Sequence, residues 1–430
     1  MTKLYIEGGR PLNGTIAIDS SKNALLPIIA GTILTNGVTV LKNVPKISDI
    51  ENLLKILVSL NIRARFKNGD LEIDTRNITY SAISPETAGK IRGSIFVLGA
   101  IVGRFGVAQV PYPGGCAIGA RAIDLHLQAF KDLGIRASEK NNIITCKRGK
   151  SSGAEIFLDF PSVGATENAI LASVLGSRRV RIINCAREPE VTDLCNFLNS
   201  CGAMICGQGS STITVQGVKQ LNGCTYSAIP DRINTGTYMI AVACCGGDVT
   251  FTNTVPMHNA NLISKLRQCG CDVITSPTSG EYGTIRVTSV SRPRAMGVIH
   301  TAPYPGFPTD LQSQIATLAS MARGTTIITE NLFENRFQYM DGLKSLGAKL
   351  CAKDKTITIN GVGNLSASYD ENYPTKLNAT DLRGGVSLVI AGLCSPGWSV
   401  INNADYIYRG YQNIDGDLIK LGANIIRVDD

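Results

Sequence analysis

A pattern of apolar and polar positions recurs six times along the chain, at intervals of about 70 residues. Each repeat has apolar residues at helical spacing on one face, which predicts an amphipathic helix. Each helix ends at a short phrase with Gly or Asn at its centre, the usual left-handed cap before a strand. These phrases are Leu60-Asn61-Ile62, Leu133-Gly134-Ile135, Cys201-Gly202-Ala203, Cys269-Gly270-Cys271, Leu346-Gly347-Ala348 and Leu421-Gly422-Ala423. The chain is therefore predicted to contain six related units.

A second helix is predicted in each unit, and it differs from the first because it is apolar on nearly every side. A helix without a polar face has to be buried. A β-branched strand separates the two helices of each unit. The buried helices are predicted at 22–34, 90–102, 165–175, 234–244, 310–322 and 382–393. The strands are predicted at 37–44, 106–110, 179–184, 248–253, 324–329 and 398–402.

Six such units indicate two domains of three, because 430 residues exceed what one ordinary core contains. The predicted boundary lies near Ile229-Pro230-Asp231, between the third and fourth units. The period exceeds that of ordinary solenoids, so we expect globular domains with three buried helices inside a shell of sheet and outer helices. One further strand, predicted at 3–18, precedes the first unit and is compatible with either domain.

The composition indicates a globular protein, and its dispersed positive charge fits small anionic substrates better than nucleic acid. Hydrophobic residues make up 44% of the chain and charged residues 18%, so disorder is not expected. The net charge is +8, but Lys and Arg are dispersed, which argues against nucleic-acid binding. The N-terminus lacks the apolar region of a signal peptide, and the apolar runs are too short to span a bilayer. We therefore expect a cytoplasmic protein without membrane insertion.

The thirteen cysteines do not form a recognisable framework. Their number is odd, no CxxC motif recurs at zinc-ligand spacing, and the chain has only three histidines. This pattern favours a reducing compartment over a disulfide scaffold or a structural zinc site. Motifs of other enzyme classes, such as a P-loop, GxGxxG, HExxH or GxSxG, do not occur.

Several predicted buried helices begin with a cation, which is unfavourable at the positive end of the helix dipole. These cations are Lys22, Arg92, Arg232 and Arg383. Helix N-termini combined with Lys or Arg make sites for phosphate or carboxylate, and the N-termini of both domains would then face one interdomain cleft. The alternative is that each cation reaches solvent or pairs with a nearby acid, such as Asp231 or Asp381.

A loop at 111–121 contains three glycines and two prolines around Cys116. This composition is irregular and rich in candidate hinges. Arg121 lies five residues further on, and a cationic setting lowers the pKa of a thiol. Cys116 is thus a candidate nucleophile or general acid, although an inert role fits its composition equally well.

Asp310 lies at the predicted start of the fifth buried helix. Thr309 and Gln312 around it form a capping-box pattern, and an acid in the first turn complements the helix dipole. This structural explanation fits the residue, and so does a role as a general base that faces a cleft.

The sequence closely resembles the enolpyruvyl transferase family of UDP-N-acetylglucosamine 1-carboxyvinyltransferases over essentially the whole chain. Each matching stretch is short, but nine in the family's order are specific. The stretches are 21–27, 114–121 with 124–127, 162–168, 186–190, 230–233, 303–310, 333–336, 381–383 and 409–411.

The resemblance implies an α/β fold, namely a two-domain inside-out α/β barrel with six βαβαββ units, three in each domain. Residues 22–229 would form the first domain, and residues 1–21 with 230–430 the second. The implied reaction transfers the enolpyruvyl group of phosphoenolpyruvate to the 3′-hydroxyl of UDP-N-acetylglucosamine and releases phosphate. This is the first committed step of peptidoglycan synthesis, and hence of cell-wall biogenesis, cell shape and division. It needs no metal or organic cofactor.

The resemblance also implies three catalytic residues. Cys116 would be the general acid toward C3 of phosphoenolpyruvate and the target of fosfomycin. Asp310 would take the proton from the sugar hydroxyl, and Lys22 would hold the phosphate. An addition–elimination through a tetrahedral intermediate needs such proton transfers and cations around its anionic groups.

Further residues are implied in binding the two substrates. Arg121 and Arg409 would join Lys22 at the phosphate, with Arg383 and Arg336 near the carboxylate. The full implied set of substrate-binding residues is Asn23, Arg92, Arg121, Ala122, Ile123, Asp124, Leu125, Ser162, Val163, Gly164, Arg232, Arg336, Arg383 and Arg409.

The sequence departs from the family pattern at Ser48, Ala122, Phe160 and Tyr408. Two alternative functions stay open. A 3-phosphoshikimate 1-carboxyvinyltransferase would share the fold and the donor, but that family has no equivalent of the Cys116 thiol. A non-catalytic paralogue that binds a UDP-sugar is the other alternative.

Overall fold

The strands and helices account for most of the chain in a computed structural model that describes residues 2–85, 94–112, 123–149, 154–290 and 292–429. The strands are β1 (Thr2–Gly8), β2 (Leu12–Ala17), β3 (Thr35–Asn36), β4 (Val38–Lys42), β5 (Arg63–Lys67), β6 (Asp70–Asp74), β7 (Val107–Pro111), β8 (Ile135–Lys140), β9 (Ile143–Arg148), β10 (Ala154–Phe157), β11 (Arg179–Ile183), β12 (Met204–Cys206), β13 (Thr212–Gln216), β14 (Leu221–Asn222), β15 (Thr225–Ser227), β16 (Gly247–Thr254), β17 (Asp272–Ser279), β18 (Tyr282–Ser289), β19 (Gly297–His300), β20 (Thr325–Thr329), β21 (Lys349–Lys353), β22 (Thr356–Asn360), β23 (Thr375–Asn378), β24 (Gly397–Asn402) and β25 (Asn424–Asp429).

The α-helices are α1 (Lys22–Gly31), α2 (Ser48–Ser59), α3 (Ser94–Phe105), α4 (Asp124–Asp132), α5 (Val163–Ser173), α6 (Pro189–Ser200), α7 (Arg232–Cys245), α8 (Ala260–Cys269), α9 (Gln312–Met321), α10 (Met340–Ser345), α11 (Leu382–Cys394) and α12 (Ile414–Lys420). Short 3-10 helices lie at Thr32–Leu34, Pro256–Asn259, Thr309–Leu311 and Ala404–Arg409. None of the helices in the described ranges is long and apolar enough to cross a membrane.

The described residues divide into two compact units, each with its own hydrophobic core. Residues 2–18 and 230–429 form one unit, which we call the C-terminal unit. The described residues between 19 and 229 form the other, the N-terminal unit.

One pattern of strand pairing recurs in five four-stranded sheets. In each sheet an edge strand runs parallel to its neighbour, and the next two strands continue antiparallel. The sheets are β15-β4-β6-β5 and β10-β11-β13-β12 in the N-terminal unit, and β2-β16-β18-β17, β19-β20-β22-β21 and β23-β24-β1-β25 in the C-terminal unit. A sixth sheet, β7-β9-β8, has the antiparallel part of the same pattern.

The single strand predicted at 3–18 is wrong, because the segment forms two strands in different sheets. The break falls at Gly9, whose φ is +89°, and at Pro11, which has no N–H for a strand ladder. β1 pairs antiparallel with β24 and β25, while β2 pairs parallel with β16. Both strands thus belong to the C-terminal unit.

The predicted buried helices are confirmed where the structure describes them. Every residue of α9 and of α11 is buried, and α1, α5 and α7 are buried along nearly their whole length. In the C-terminal unit α7, α9 and α11 pack against one another. Hydroxyl groups fit between them, since Ser313 donates to the carbonyl of Arg383 at 2.8 Å.

The predicted helix ends are also confirmed. Each amphipathic helix is followed by a residue with φ between +61° and +104° and then by a strand. Glycine takes this left-handed conformation without steric cost, and asparagine tolerates it better than most residues. The positive-φ residues are Asn61, Gly134, Gly202, Gly270, Gly347 and Gly422.

Candidate active site

Asp310 is held by two arginines in the C-terminal unit. Its Oδ1 lies 2.6 Å from Nη2 of Arg336, and its Oδ2 lies 3.2 Å from Nη2 of Arg383. The arginine side chains are only 5–6% exposed, whereas the Asp310 side chain is 27% exposed. Charge-assisted hydrogen bonds of this kind are the strong ones, so the carboxylate is fixed in place and still accessible.

Arg336 is itself oriented by a buried carboxylate. Its Nη1 donates to Oγ1 of Thr309 at 2.8 Å, and the Thr309 hydroxyl donates to Oε2 of Glu330 at 2.8 Å. Glu330 is fully buried and also accepts from the Thr301 hydroxyl and from the backbone N–H of Leu332, each at 2.9 Å. A buried charge needs such partners, and these partners fix the direction of the whole chain of contacts.

The capping-box interpretation of Thr309 and Gln312 is wrong. Residues Thr309–Leu311 form a 3-10 helix whose N-cap is Pro308, with no side-chain cap. The hydroxyl of Thr309 donates to Glu330 instead, and the side-chain amide of Gln312 donates to the hydroxyl of Tyr339 at 2.9 Å. A buried carboxylate is a stronger acceptor than a neutral group, which explains the preference of Thr309.

Arg383 lies in the first turn of α11 and is fixed from both ends. Its backbone N–H donates to the N-cap residue Asp381 at 2.9 Å, and its Nη1 donates to the hydroxyl of Tyr411 at 3.2 Å. The Tyr411 hydroxyl lies 2.7 Å from Oγ1 of Thr237 on α7. Burial acts to lower the pKa of Arg383, but the charge of Asp310 and other partners raise it above its ordinary value. Arg383 is therefore a permanent cation beside Asp310.

The hydroxyl of Tyr411 is neutral at physiological pH. Burial raises its pKa above the ordinary value, although the positive charge of Arg383 and the contact with Thr237 act in the opposite direction. Tyr411 therefore acts in this network as a neutral hydrogen-bonding group.

Lys22 forms a second buried ion pair, in the N-terminal unit. It is the first residue of α1, and its Nζ lies 2.7 Å from Oδ2 of Asp49 in the first turn of α2. The two side chains are 9% and 8% exposed. Pairing of helix-start cations with acids, the alternative from the sequence, thus holds for Lys22 and Arg383.

The acids suggested for that pairing have a different role. Asp231 accepts from two backbone N–H groups at the start of α7, and Asp381 does the same at the start of α11. Both are ordinary N-caps. The cation at the start of α7, Arg232, is half-buried, and its guanidinium carbon lies 5.8 Å from the ring centroid of Tyr304.

The structure brings together the starts of α4 and α5, where the resemblance implies contacts with the UDP-sugar. Ser162 caps α5, and Val163 and Gly164 form its first turn, all partly exposed. A Cβ at Gly164 would lie 2.8 Å from Nε2 of His126 on α4, so a larger residue here would require the His126 side chain to shift.

The neighbouring implied residues differ in their exposure. Asp124 is exposed at the start of α4, and Leu125 and Asn23 are half-buried. The side chain of Ile123 is 3% exposed and lies in the core, which leaves its backbone for any substrate contact. Arg409 is half-buried at the end of a 3-10 helix.

Four implied residues, Arg92, Cys116, Arg121 and Ala122, lie outside the described residues, and their roles stay predictions. Among the other departures from the family pattern, Tyr408 has a local explanation. Its hydroxyl donates to Asp415 at 2.8 Å, and the Arg427 guanidinium lies over its ring at 4.2 Å.

Several site residues were missed from the sequence. Asp49 sits in a first helical turn, where an acid is ordinary, so nothing marked it as the partner of Lys22. Thr237 and Glu330 are separated from Asp310 along the chain and carry no motif. Tyr411 lies in a matched stretch, but its contact with Arg383 depends on how α11 packs.

A group of buried carboxyls lies in the N-terminal unit. Within the described residues, neither carboxyl oxygen of Glu167 on α5 has a hydrogen-bond partner. Burial raises its pKa well above the ordinary value, and the negative charges of Glu190 and Glu188 add to the effect. Burial also raises the pKa of Asp193 to about 6, against a hydrogen bond from Tyr226 that lowers it.

Metal coordination has no obvious place in these ranges. Residues 2–85, 94–112, 123–149, 154–290 and 292–429 contain no group of three or more His, Cys, Asp or Glu side chains placed to hold a metal ion.

The chain shares its fold with solved enolpyruvyl transferases. The chain matches the enolpyruvyl transferase NikO from Streptomyces tendae with a TM-score of 0.85 and 23% identity, over 99% of this chain and 98% of that one. It matches the EPSP synthase from Acinetobacter baumannii with a TM-score of 0.74 and 16% identity over the whole of both chains. These likenesses establish the α/β fold of this class.

Sequence comparison defines the family. The profile of the EPSP synthase (3-phosphoshikimate 1-carboxyvinyltransferase) family matches residues 6–418. UDP-N-acetylglucosamine 1-carboxyvinyltransferase 2 from Caldanaerobacter subterraneus subsp. tengcongensis is 43% identical over 428 residues, which is 100% of both chains. The UDP-N-acetylglucosamine 1-carboxyvinyltransferase of Clostridium botulinum is 42% identical over 431 aligned positions, again 100% of both. The chain belongs to the EPSP synthase family of enolpyruvyl transferases.

Proposed function

We propose that the chain transfers the enolpyruvyl group of phosphoenolpyruvate to the 3′-hydroxyl of UDP-N-acetylglucosamine and releases phosphate. The names of its full-length relatives at 42–43% identity support this acceptor. The observation that carries the chemistry is Asp310, a partly exposed carboxylate held by two buried arginines. A carboxylate fixed in this way suits a general base, because its orientation is set before the substrate binds.

The proposed mechanism is an addition followed by an elimination. Asp310 takes the proton of the sugar hydroxyl, and the hydroxyl oxygen attacks C2 of phosphoenolpyruvate. Cys116 delivers a proton to C3. The tetrahedral intermediate then loses a proton from C3 and expels phosphate. Lys22, Arg121 and Arg409 hold the phosphate group in this proposal.

Arg336 and Arg383 are proposed to bind the carboxylate of phosphoenolpyruvate. Each guanidinium has five N–H donors and contacts neighbouring side chains through Nη1 and Nη2. Further donors of the same fork can bind a second carboxylate. The buried setting strengthens such contacts because water competes less for them.

The family resemblance supports several finer proposals. The five sheets with one strand order, and the sixth that shares part of it, fit six βαβαββ units arranged as inside-out α/β barrels. Residues 22–229 would form one enolpyruvyl transferase domain, and residues 1–21 with 230–430 the other. We propose a cytoplasmic enzyme of peptidoglycan synthesis that fosfomycin inactivates at Cys116 and that needs no cofactor.

A competing function within the family is transfer to shikimate 3-phosphate, because the matching family profile carries that enzyme's description. Phosphate release from phosphoenolpyruvate distinguishes the two acceptors. We expect release with UDP-N-acetylglucosamine, block by fosfomycin, and none with shikimate 3-phosphate. Release only with shikimate 3-phosphate would replace the proposed acceptor, and release with neither from folded protein would favour a binding paralogue.

The role of Asp310 is tested by Asp310→Asn. Loss of the base is expected to lower kcat about 10²- to 10⁴-fold. Asp341→Asn is the matched control, because the Asp341 side chain is 93% exposed and its ion pair with Lys344 is 3.9 Å long. Turnover of Asp310→Asn equal to that of the control would remove Asp310 from the reaction.

A further inference from the structure

Two cysteine thiols are in direct contact in the N-terminal unit. The Sγ atoms of Cys201 and Cys224 lie 3.4 Å apart. Cys201 is the C-cap residue of α6 and is 2% exposed, whereas Cys224 lies between β14 and β15 and is half-buried. Cys201 is thus buried, whereas Cys224 is partly exposed.

The backbone holds the two residues side by side. The N–H of Asn222 donates to the carbonyl of Cys201 at 2.8 Å, and the N–H of Val40 on β4 donates to the carbonyl of Cys224 at 2.8 Å. Disulfide formation between distant cysteines requires backbone movement, but thiols already in contact need only a small side-chain shift.

The pKa values of the two thiols are shifted in opposite directions. The shared hydrogen bond lowers the pKa of Cys224, while burial opposes that shift. The same hydrogen bond, together with burial, raises the pKa of Cys201. Because a peroxide has to reach the sulfur it oxidises, we expect the more exposed residue of the pair, Cys224, to react first.

We propose that Cys201 and Cys224 are a redox modification site, which closes to a disulfide when the protein meets hydrogen peroxide. The Cys224 thiolate attacks one peroxide oxygen, the O–O bond breaks, and the released hydroxide takes a proton to become water. The resulting sulfenic acid is attacked by the sulfur of Cys201, which forms the S–S bond. The sulfenic oxygen leaves as a second water with the proton of Cys201. The two sulfurs are oxidised by two electrons in total, and one peroxide is reduced to two waters.

Other cysteines of the chain provide internal comparisons. Cys269 and Cys271 have their Sγ atoms 3.8 Å apart, but both are buried and only one residue separates them, so their disulfide would close a short, stiff ring. Cys206 is exposed and lies in β12. Selectivity for the 201–224 pair therefore requires both contact and access.

The test treats the full-length protein with hydrogen peroxide, alkylates the remaining thiols, and maps linked peptides by mass spectrometry. We expect a 201–224 cross-link, two hydrogens lighter than the reduced pair and removed by dithiothreitol. Cys206→Ser should keep this cross-link, whereas Cys224→Ser should lose it. A Cys224 that is oxidised to sulfinic acid with Cys201 still reduced, or linkage dominated by 269–271, would overturn the proposal.

A second measurement compares the oxidised and reduced forms of the wild-type protein. Closing a loop constrains the unfolded chain, so oxidised wild type should melt about 2 °C or more above the reduced protein. Dithiothreitol should reverse the shift, and Cys224→Ser should show none. An unchanged or lowered melting temperature in protein whose 201–224 pair is fully linked would contradict the proposal that the fold accepts this disulfide without strain.

Discussion

Asp310 lies just before the buried helix α9 and Glu167 lies within the buried helix α5, yet the surroundings of the two carboxyl groups are opposite. Asp310 lies between two guanidinium groups at 2.6 and 3.2 Å. The charged neighbours that act on Glu167 are Glu188 and Glu190, both negative. The comparison shows that burial alone does not decide the state of a carboxyl group; its partners do.

The neighbouring groups affect the charge of the carboxyl group differently in each unit. Around Asp310, a chain of contacts from Glu330 through Thr309 and Arg336 keeps a charged group in one orientation. Burial and the two negative neighbours raise the pKa of Glu167 well above its ordinary value, so folding favours its protonated form. The first arrangement suits acid–base chemistry on a substrate, and the second makes stability depend on pH.

The largest expected effect comes from removing one cation of the Asp310 cluster. Arg383→Ala leaves Asp310 with a single guanidinium partner and should lower the free energy of unfolding by about 3–5 kcal/mol. Urea unfolding measures this loss, and the KM for phosphoenolpyruvate should rise strongly in the folded fraction.

The matched control for that change is Arg286→Ala. Arg286 pairs with Asp248 on an exposed sheet face, where water screens the charges, so little change in stability is expected. Arg383→Lys keeps the positive charge but lacks the planar guanidinium with its several N–H donors. It should therefore recover only part of the lost free energy of unfolding. Equal costs at Arg383 and Arg286 would contradict a special role for the buried pair.

The next largest effect is expected at Glu330, which orients Arg336 and so supports Asp310 without contacting it. Glu330→Gln replaces a carboxylate that accepts hydrogen bonds on both oxygens, and should cost about 1–3 kcal/mol of stability. Since Arg336 would lose its orientation, kcat should fall more than KM rises. Glu334→Gln, at an exposed position of the same segment, is the control. Wild-type kcat in Glu330→Gln would show that Arg336 is oriented without it.

Much of this architecture was predictable because it rests on local rules. Periodicity separates buried α9 and α11 from the amphipathic helices, and glycine after a helix marks a left-handed cap, as at Gly270. The break between β1 and β2 was missed, although Gly9 and Pro11 were visible signals. The role of Thr309 was misjudged because its acceptor, Glu330, lies 21 residues away and only the fold brings it close.

The Glu167 side of the comparison predicts a smaller, pH-dependent effect. A carboxyl group whose folded pKa is raised stabilises the fold below its unfolded pKa, and this contribution is lost as the pH rises through the folded value. Glutamine does not ionise, so Glu167→Gln should not show this loss of stability as the pH rises. The free energy of unfolding of the variant should therefore increase relative to that of wild type between pH 5 and pH 8. A tenfold difference between the folded and unfolded acid dissociation constants corresponds to about 1.4 kcal/mol.

Urea unfolding at both pH values measures the difference. Glu155→Gln, at an exposed residue of β10, is the control for a glutamate-to-glutamine change at the surface. Identical pH slopes for Glu167→Gln and wild type would show that Glu167 is already ionised in the folded protein, and the contrast with Asp310 would then fail.

The smallest effect is expected at Asp193, and it refines the comparison. A neutral hydroxyl donates a hydrogen bond to this carboxyl group, as the two arginines do to Asp310. The Tyr226 hydroxyl donates to Oδ1 of Asp193 at 2.6 Å, which lowers the pKa of Asp193, while burial raises it; the resulting pKa is about 6. Tyr226→Phe removes that donor, so the pKa of Asp193 should rise above 6. The stability contributed by its protonated form should then persist to higher pH before it is lost.

Carbon-detected NMR titration of the Asp193 carboxyl measures the pKa directly. A pKa that falls in Tyr226→Phe would contradict this prediction, and would mean that solvation of Asp193 in the variant outweighs the lost hydrogen bond.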